Sequence, residues 1–468
     1  MTKRGKIIEG ITIRDYAAEA RCVARVDDLV LFVEYTAPGD VVDVRITRHK
    51  KSYLEARPVK FHSYSERRSD PFCSHFGECG GCKWQHVSYN DQLTFKRQQV
   101  IDQFERLGKF IFPEVEPTIG SSSSRYYRNK LDFTFSDRRW LTFEEINNGG
   151  DLDRNGLGFH KPGQFDKVLD IEQCYLQPEP SNKIRTGIKK FSLENNIPFY
   201  NLVDHTGFLR NLIIRTSNTG GVMVILQVAS ELPEFINLAM EYLKNTFQEI
   251  TSLNYVVNPK GNETFFDLEV INYYGDPYII EEMEGLEFRI GPKSFYQTNS
   301  QQAYQLYKTA RDFAQLKNTD IVYDLYTGTG TIANFIAGQV NTVIGIDNIE
   351  EAIKDAVVNA ETNGIDNVRF IPGDMKNTFT AEFVEKNGHP DVIITDPPRA
   401  GMHSNVVETL LDLSPGRIVY ISCNPATQAR DIGILAGMYE VKKVQPLDMF
   451  PHTHHIENIV LLERTENE

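Results

Sequence analysis

From Gly291 onward short apolar runs alternate with helical patterns, and this alternation constrains the fold more than any other feature of the chain. The runs are Ile321-Val322-Tyr323 and residues 342–346, 368–371, 392–394, 416–421 and 459–462. Apolar strands separated by helix-length segments predict an α/β fold, a doubly wound, Rossmann-like parallel sheet, in which ligands bind at the strand edges. Asp396-Pro397-Pro398-Arg399 ends one run, Cys423-Asn424-Pro425 follows another, and His455-Ile456-Glu457-Asn458 opens the last. Three strand edges thus carry a nucleophile, Cys423, a base candidate, Glu457, and an orienting carboxylate, Asp396. That combination predicts covalent catalysis on a base or carbonyl-like substrate.

Each residue alone has a plainer reading. Free cysteine is among the most buried residue types, and Asp-Pro-Pro often marks only a turn. Glu457 beside His452, His454 and His455 also fits solvated surface or, less readily, a metal site. Their joint occurrence points to chemistry.

Asp324-Leu325-Tyr326-Thr327-Gly328-Thr329-Gly330-Thr331 lies between a strand and a helix. Gly328 and Gly330 let the backbone approach a ligand, and Asp347 ends the next strand, where a carboxylate can hold ribose hydroxyls. The third glycine of a dinucleotide fingerprint is missing, with Ala333 near its place. The loop alone fits NAD and S-adenosylmethionine alike. Asp396-Pro397-Pro398 resembles the fourth motif of nucleic-acid methyltransferases and turns the reading to S-adenosyl-L-methionine.

Three of the six cysteines, Cys73, Cys79 and Cys82, fall within CSHFGECGGC. Gly77, Gly80 and Gly81 allow the tight turns that bring thiolates to one centre, and Cys174 is the best fourth ligand. Zinc is the alternative, although its sites usually pair Cys-x2-Cys with a second pair. Cys22 is read as structural.

The first 60 residues alternate with the period of strands and suit a small OB-like β-barrel of five strands. Between Arg45 and Arg68 eight basic residues meet only Glu55 and Glu66, with Tyr53, Phe61 and Tyr64 interleaved. Basic charge among aromatics is the footprint of RNA binding, though a solvated barrel rim has the same look. A second basic stretch, Arg125-Tyr126-Tyr127-Arg128-Asn129-Lys130, precedes an α+β central region, and a helix is expected from about Tyr89 to Leu107.

The 468 residues suffice for roughly two to four domains. A net charge of −14 argues against a nonspecific nucleic-acid coat, not against a locally basic groove. No apolar run reaches the roughly 18 residues of a membrane span, and MTKRGKIIEG lacks a signal peptide's hydrophobic stretch. A cytoplasmic, monomeric protein with no membrane partner is expected.

Taken together, the motifs resemble the RNA uracil-C5 methyltransferases, specifically the iron–sulfur branch acting on 23S ribosomal RNA. The resemblance rests on the cysteine spacing, Tyr127-Arg128-Asn129-Lys130, Ser294-Phe295-Tyr296-Gln297, DLYTGTG, DPPR, SCNP and the closing HIEN, and spans nearly the whole chain. It implies a TRAM (OB-like) domain over 1–60, a central iron–sulfur domain over 61–290 and a methyltransferase domain over 291–468. It implies a [4Fe-4S] cluster on Cys73, Cys79, Cys82 and Cys174, and cofactor contacts from Gln297, Tyr326, Asp347 and Asp396. The nucleophile falls on Cys423 and the base on Glu457. Thr327 stands where relatives often carry cysteine. Uracil C5 is a poor nucleophile, so such an enzyme adds a thiolate to C6, methylates C5 and then removes the C5 proton to expel the thiolate.

Three rivals stand beside this reading. A tRNA uridine would serve the same chemistry as one in 23S RNA. A radical methylthiotransferase also joins a cluster to a TRAM domain, but its cysteines have three then two intervening residues, against five then two here. A noncatalytic RNA-binding or ribosome assembly factor need not keep Cys423, Glu457 and the cofactor loop together.

Overall fold

The computed structural model describes residues 4–150 and 152–465. The N-terminal strands, Ile7–Thr12, Asp15–Tyr16, Cys22–Val26, Leu29–Val33, Val41–His49 and Tyr53–Ser63, form a six-stranded sheet around one apolar core of Cys22, Leu31, Val42, Val44, Ile46 and Leu54. Two strands, the short Asp15–Tyr16 and the long Tyr53–Ser63, are the ones not expected, and the latter is the informative one. Pro58 and its lysines and arginines hide its alternation, because only its first half faces the core. Phe61 stacks on Tyr64 at 4.9 Å, and the Arg68 guanidinium lies 4.7 Å from the Phe61 ring.

The central region is a seven-stranded sheet built mainly on Lys130–Ser136, Leu209–Thr216 and Val222–Val228. The helices Ser181–Glu194 and Pro233–Thr246 bury Ile184, Ile188, Ala239, Met240 and Leu243 in the core of that sheet.

The C-terminal sheet contains β1 (Ile321–Leu325), β2 (Thr342–Asp347), β3 (Val368–Pro372), β4 (Val392–Thr395), β5 (Arg417–Ser422), β6 (Tyr439–Leu447) and β7 (Glu457–Arg464). Their order is β3-β2-β1-β4-β5-β7-β6. The first five are parallel. The expectation of an all-parallel sheet is corrected at its end, where β7 runs antiparallel to both β5 and β6. Residues 448–456 are too few for a crossover, which needs about a dozen, so β6 and β7 close as a hairpin. β1 and β4 flank the point where strand order reverses, the usual ligand crevice of such sheets.

The helix Tyr89–Gln103 continues through a π-turn, Phe104–Gly108. Although it lies within 61–290, it does not pack with the central sheet. Val100, Phe104 and Val115 join the core of the C-terminal sheet, and the Ile119 N–H donates to the Pro446 carbonyl at 2.9 Å. Chain order alone hides this docking, because the helix's partners are some 350 residues away.

Arg215 ties the central sheet to the segment that enters the crevice. Buried at 4% exposure, its guanidinium donates to the Gly291 carbonyl at 2.7 Å and the Ser294 carbonyl at 2.9 Å. Replacing Arg215 with Met removes both charge-assisted bonds and is expected to cost about 3 kcal/mol, read as a lower urea midpoint.

Candidate active site

At the switch point a cleft of about 820 Å³ opens. Its lining includes Gln297, Tyr326, Asp347, Asp396, Cys423 and Glu457, so the six residues expected to bind cofactor or act in catalysis meet in one place.

The glycine loop is shaped by its backbone. Tyr326, Gly328 and Gly330 have φ of 66°, 56° and 73°, so the chain turns sharply as it leaves β1. A Cβ on Gly330 would lie 2.7 Å from Phe370 and 2.8 Å from Ala356, so only glycine fits. Beneath it, Asp324 accepts from Thr327 Oγ1 at 2.5 Å and from the Ala333 N–H at 3.1 Å. Burial pushes that carboxyl up to about 7. Asp347 accepts from the Gly328 N–H and the Ile349 N–H, both at 2.9 Å. One amide on each oxygen fixes the carboxylate and leaves lone pairs for a diol. From the other wall, Asn129 donates to the Gln297 carbonyl at 3.0 Å and to Ser300 Oγ at 2.9 Å. Part of the stretch read as RNA-binding thus braces the cofactor segment.

Register sets the reacting groups. β5 and β7 pair Ser422 with Asn458, so one step further Cys423 lies opposite Glu457, and β4 delivers Asp396 alongside. Asn424 caps the helix Pro425–Leu435 by accepting from the Ala426 N–H at 3.2 Å, while its amide donates to the Arg399 carbonyl at 3.0 Å. The Cys423 and Asp396 loops are thereby pinned together. Burial, then repulsion by Glu457 and Asp396, pushes the Cys423 thiol up to about 11, with Arg399 opposing. Burial pushes the Asp396 carboxyl up to about 7. Glu457 is raised well above the carboxylate range by burial and then by Asp396, with Lys96 opposing. The Cys423 thiol, two carboxyls raised by burial and the Asp347 carboxylate therefore share one cleft, an arrangement able to add sulfur to an activated ring and to remove a proton.

The same cleft holds residues that the sequence did not single out. Asp374 follows Gly373 at the end of β3, a strand-edge acid that was legible there. Tyr307 is buried on the helix Ser300–Ala314 among Asp396, Asp324 and Glu457, and nothing in its spacing separates it from an ordinary core tyrosine.

Cys73, Cys79, Cys82 and Cys174 line a second, small cavity walled by Phe76, Phe159, Ile171 and Leu176. Burial pushes Cys79 up to about 11 and Cys82 up to about 12, and raises Cys73 and Cys174. The Gly81 N–H points at Cys79 Sγ from 3.4 Å, and Asn182 clamps both backbone groups of Cys174 at 2.8 and 3.0 Å. Among the described residues, no three His, Cys, Asp or Glu side chains stand close enough to chelate one metal ion, at the cysteines or at His452, His454 and His455. Cys22, buried in the barrel, donates to the Thr36 carbonyl at 2.9 Å. Among the described residues no helix is long and apolar enough to cross a membrane.

A family model described as tRNA (Uracil-5-)-methyltransferase matches residues 216–465, and a TRAM domain model matches residues 2–59. An uncharacterized RNA methyltransferase of Bacteroides thetaiotaomicron is 55% identical over 451 residues, covering 96% of this chain and 99% of its own length. One from Porphyromonas gingivalis is 52% identical, covering 97% and 99%. The crystal structure of Pyrococcus abyssi tRNA (uracil-54, C5)-methyltransferase in complex with S-adenosyl-L-homocysteine matches with a TM-score of 0.76 and 28% identity, over 97% of this chain and 100% of that one.

With its thiol held near 11, Cys423 should react slowly with iodoacetamide at neutral pH, and its rate should keep rising beyond the ordinary thiol range. Asp396→Asn removes a negative neighbour and should lower that midpoint. Residue-resolved mass spectrometry of alkylation against pH measures both.

Proposed function

Because the chain belongs to the tRNA (uracil-5-)-methyltransferase family, and so is an S-adenosylmethionine-dependent RNA uracil-C5 methyltransferase with an N-terminal TRAM domain, we propose that it acts through a covalent adduct between Cys423 and C6 of the target uridine. The observation that carries this reading is the register placing Cys423 opposite Glu457, with Asp396 beside them in one cleft. Asp347 holds the ribose hydroxyls of the cofactor, and Tyr326, Gln297 and Asp396 line the rest of its path. S-Adenosylmethionine, when bound, supplies an electrophilic methyl group and a positive sulfonium.

Cys423 gives up its proton to solvent in the open cleft and its sulfur bonds to C6, pushing the ring electrons toward C5 as an enolate. Arg399 favours the thiolate, as does any cation entering the cleft. Once C5 carries its methyl group, Glu457 takes the C5 proton. The C5–H pair becomes the C5–C6 double bond, and the C6–S bond breaks to return Cys423 as thiolate. A uridine stacked in a helix is out of reach, so the base is flipped out or presented from a loop.

Cys73, Cys79, Cys82 and Cys174 fit a [4Fe-4S] cluster. They are four thiols on one cavity, with an amide aimed at one sulfur and apolar walls. Such a cluster, when bound, crosslinks residues 73–82 to residue 174. The substrate assigned is a uridine of 23S ribosomal RNA, supported by the cysteine spacing. The barrel over 1–60, with Phe61, Tyr64 and Arg68, is assigned to the RNA. A tRNA uridine is the second reading, favoured by the Pyrococcus abyssi structure, whose protein acts on tRNA. Mapping 5-methyluridine in 23S RNA and tRNA from a deletion strain decides between them.

Replacing Cys423 with Ala should abolish methyl transfer while leaving cofactor binding within a few-fold. Glu457→Gln should stop the reaction halfway, so that a methylated RNA–protein adduct accumulates on denaturing gels while RNA tritiated at uracil C5 releases little tritium. Rapid release without adduct would assign the base elsewhere.

Protein prepared anaerobically should be brown, with roughly four irons per chain, and Cys79→Ser should bleach it. A colourless, zinc-loaded protein would overturn the cluster.

A further inference from the structure

Lys96 is an ammonium with no exposure at all, in a helix that the proposed chemistry does not use. It lies on one face of the helix Tyr89–Gln103 with Tyr89 and Gln92, and all three reach into residues 448–452, the loop that leads to Glu457. Lys96 Nζ donates to Asp448 Oδ1 at 2.5 Å and to the Phe450 carbonyl at 3.3 Å. Tyr89 donates to Asp448 Oδ2 at 2.7 Å. The His452 N–H donates to Gln92 Oε1 at 2.9 Å, and the His452 carbonyl accepts from the Lys83 and Trp84 amides at 2.8 and 3.0 Å.

A buried ammonium is strongly disfavoured unless it is paired, and Asp448 supplies the pair. An ion pair that only braced the loop could be replaced whole by uncharged side chains at little loss. What distinguishes this one is the company of Glu457. Glu457 faces Asp396 after β4, Cys423 after β5 and Tyr307 on the helix Ser300–Ala314, none of which is cationic. His454 and His455, on the same loop, are pushed below the usual histidine range by burial and are neutral at pH 7. Leu447, at the end of β6, pairs with Glu457 on β7, so Asp448 and the Lys96 ammonium it holds stand one residue from the strand partner of Glu457, and the Lys96 charge opposes the rise of that carboxyl.

We propose that Lys96 is a positioning residue for proton removal: fixed by Asp448 and the Phe450 carbonyl, its ammonium keeps the Glu457 carboxyl ionisable and aimed into the cleft. This rests on Glu457 being the base. Losing a nearby cation raises a carboxyl's pKa, so less of it is ionised at neutral pH and the C5 proton leaves more slowly. The rate returns as pH rises.

The test uses the full-length enzyme, loaded as purified, with RNA tritiated at uracil C5. Lys96→Met combined with Asp448→Asn removes the pair without leaving a buried lone charge. This variant should form the methylated adduct at the wild-type rate but release tritium about tenfold more slowly at pH 7, with its pH midpoint moved upward. Unchanged release, or an equal loss of adduct formation and release with an unmoved midpoint, would mean that Lys96 only braces the fold. Lys96→Arg keeps a cation paired with Asp448 and should leave the midpoint near that of wild type, so a rise there overturns the proposal even if the double variant does not fold. Glu457→Gln run in parallel separates the two assignments: if it releases tritium normally, the base itself is misassigned, whatever Lys96 does.

Discussion

Carboxyl groups withdrawn from water set the terms for this protein. Asp324, Asp396, Asp448 and Glu457 are buried around the C-terminal crevice, and only Asp448 has a full ion pair, with Lys96. An isolated buried carboxylate holds its proton rather than stay charged, and the raised Asp324, Asp396 and Glu457 follow that rule. Burial therefore disfavours charge on these three side chains of the crevice. The Lys96–Asp448 pair lets one charged element persist there, and it spans the distance between a helix near the N-terminus and the last hairpin. Through it the segment after the cysteines, the helix Tyr89–Gln103 and the loop before Glu457 behave as one piece.

The central sheet contributes to the same end from the opposite wall. Arg215 and Asn129 grip the backbone between Gly291 and Ser300, and Ser294 Oγ donates to Asp355 Oδ2 at 2.5 Å across to the helix Glu350–Thr362. Gln297 is thus held by elements from both sheets. Tyr127 adds a third tie by donating to the Pro451 carbonyl at 3.1 Å in the base loop. The central region shapes both walls of the cleft before any RNA arrives. An overall charge of −14 does not preclude local positive charge, and Arg128 lies over Phe450 in the loop before Glu457.

What could be read from the sequence was chemistry at strand ends. Asp347, Asp396 and Cys423 stand where apolar runs stop, and a run stops visibly. Gly328 and Gly330 were legible because a positive φ selects glycine. Lys96 was not, because a lysine on a helix reads as solvated until something far along the chain covers it. Tyr53–Ser63 was missed because half its length faces solvent, and Tyr439–Leu447 because its buried residues are interrupted by Glu440, Lys442 and Lys443. The antiparallel turn of β7 was knowable in principle, since the connection before it is too short for a crossover, but only once β6 had been seen. The three clustered cysteines were legible from spacing and Cys174 was named as their fourth, and all four line one cavity.

A nucleophile held near 11 looks badly suited to a reaction at neutral pH, yet the shift has a use. A thiol that is protonated at rest resists alkylation and oxidation in a cleft open to solvent. Nucleophilicity rises with pKa, so the thiolate, once formed, attacks harder than an ordinary one. Burial raises Cys423 first and the neighbouring Glu457 and Asp396 add to it, so the thiol and both carboxyls respond together to a positive charge brought into the cleft. A cationic methyl donor would favour ionisation of Cys423, Asp396 and Glu457 at the same moment. Its neutral product would reverse that effect, which links activation of Cys423 to the presence of the methyl group that uracil C5 is to accept.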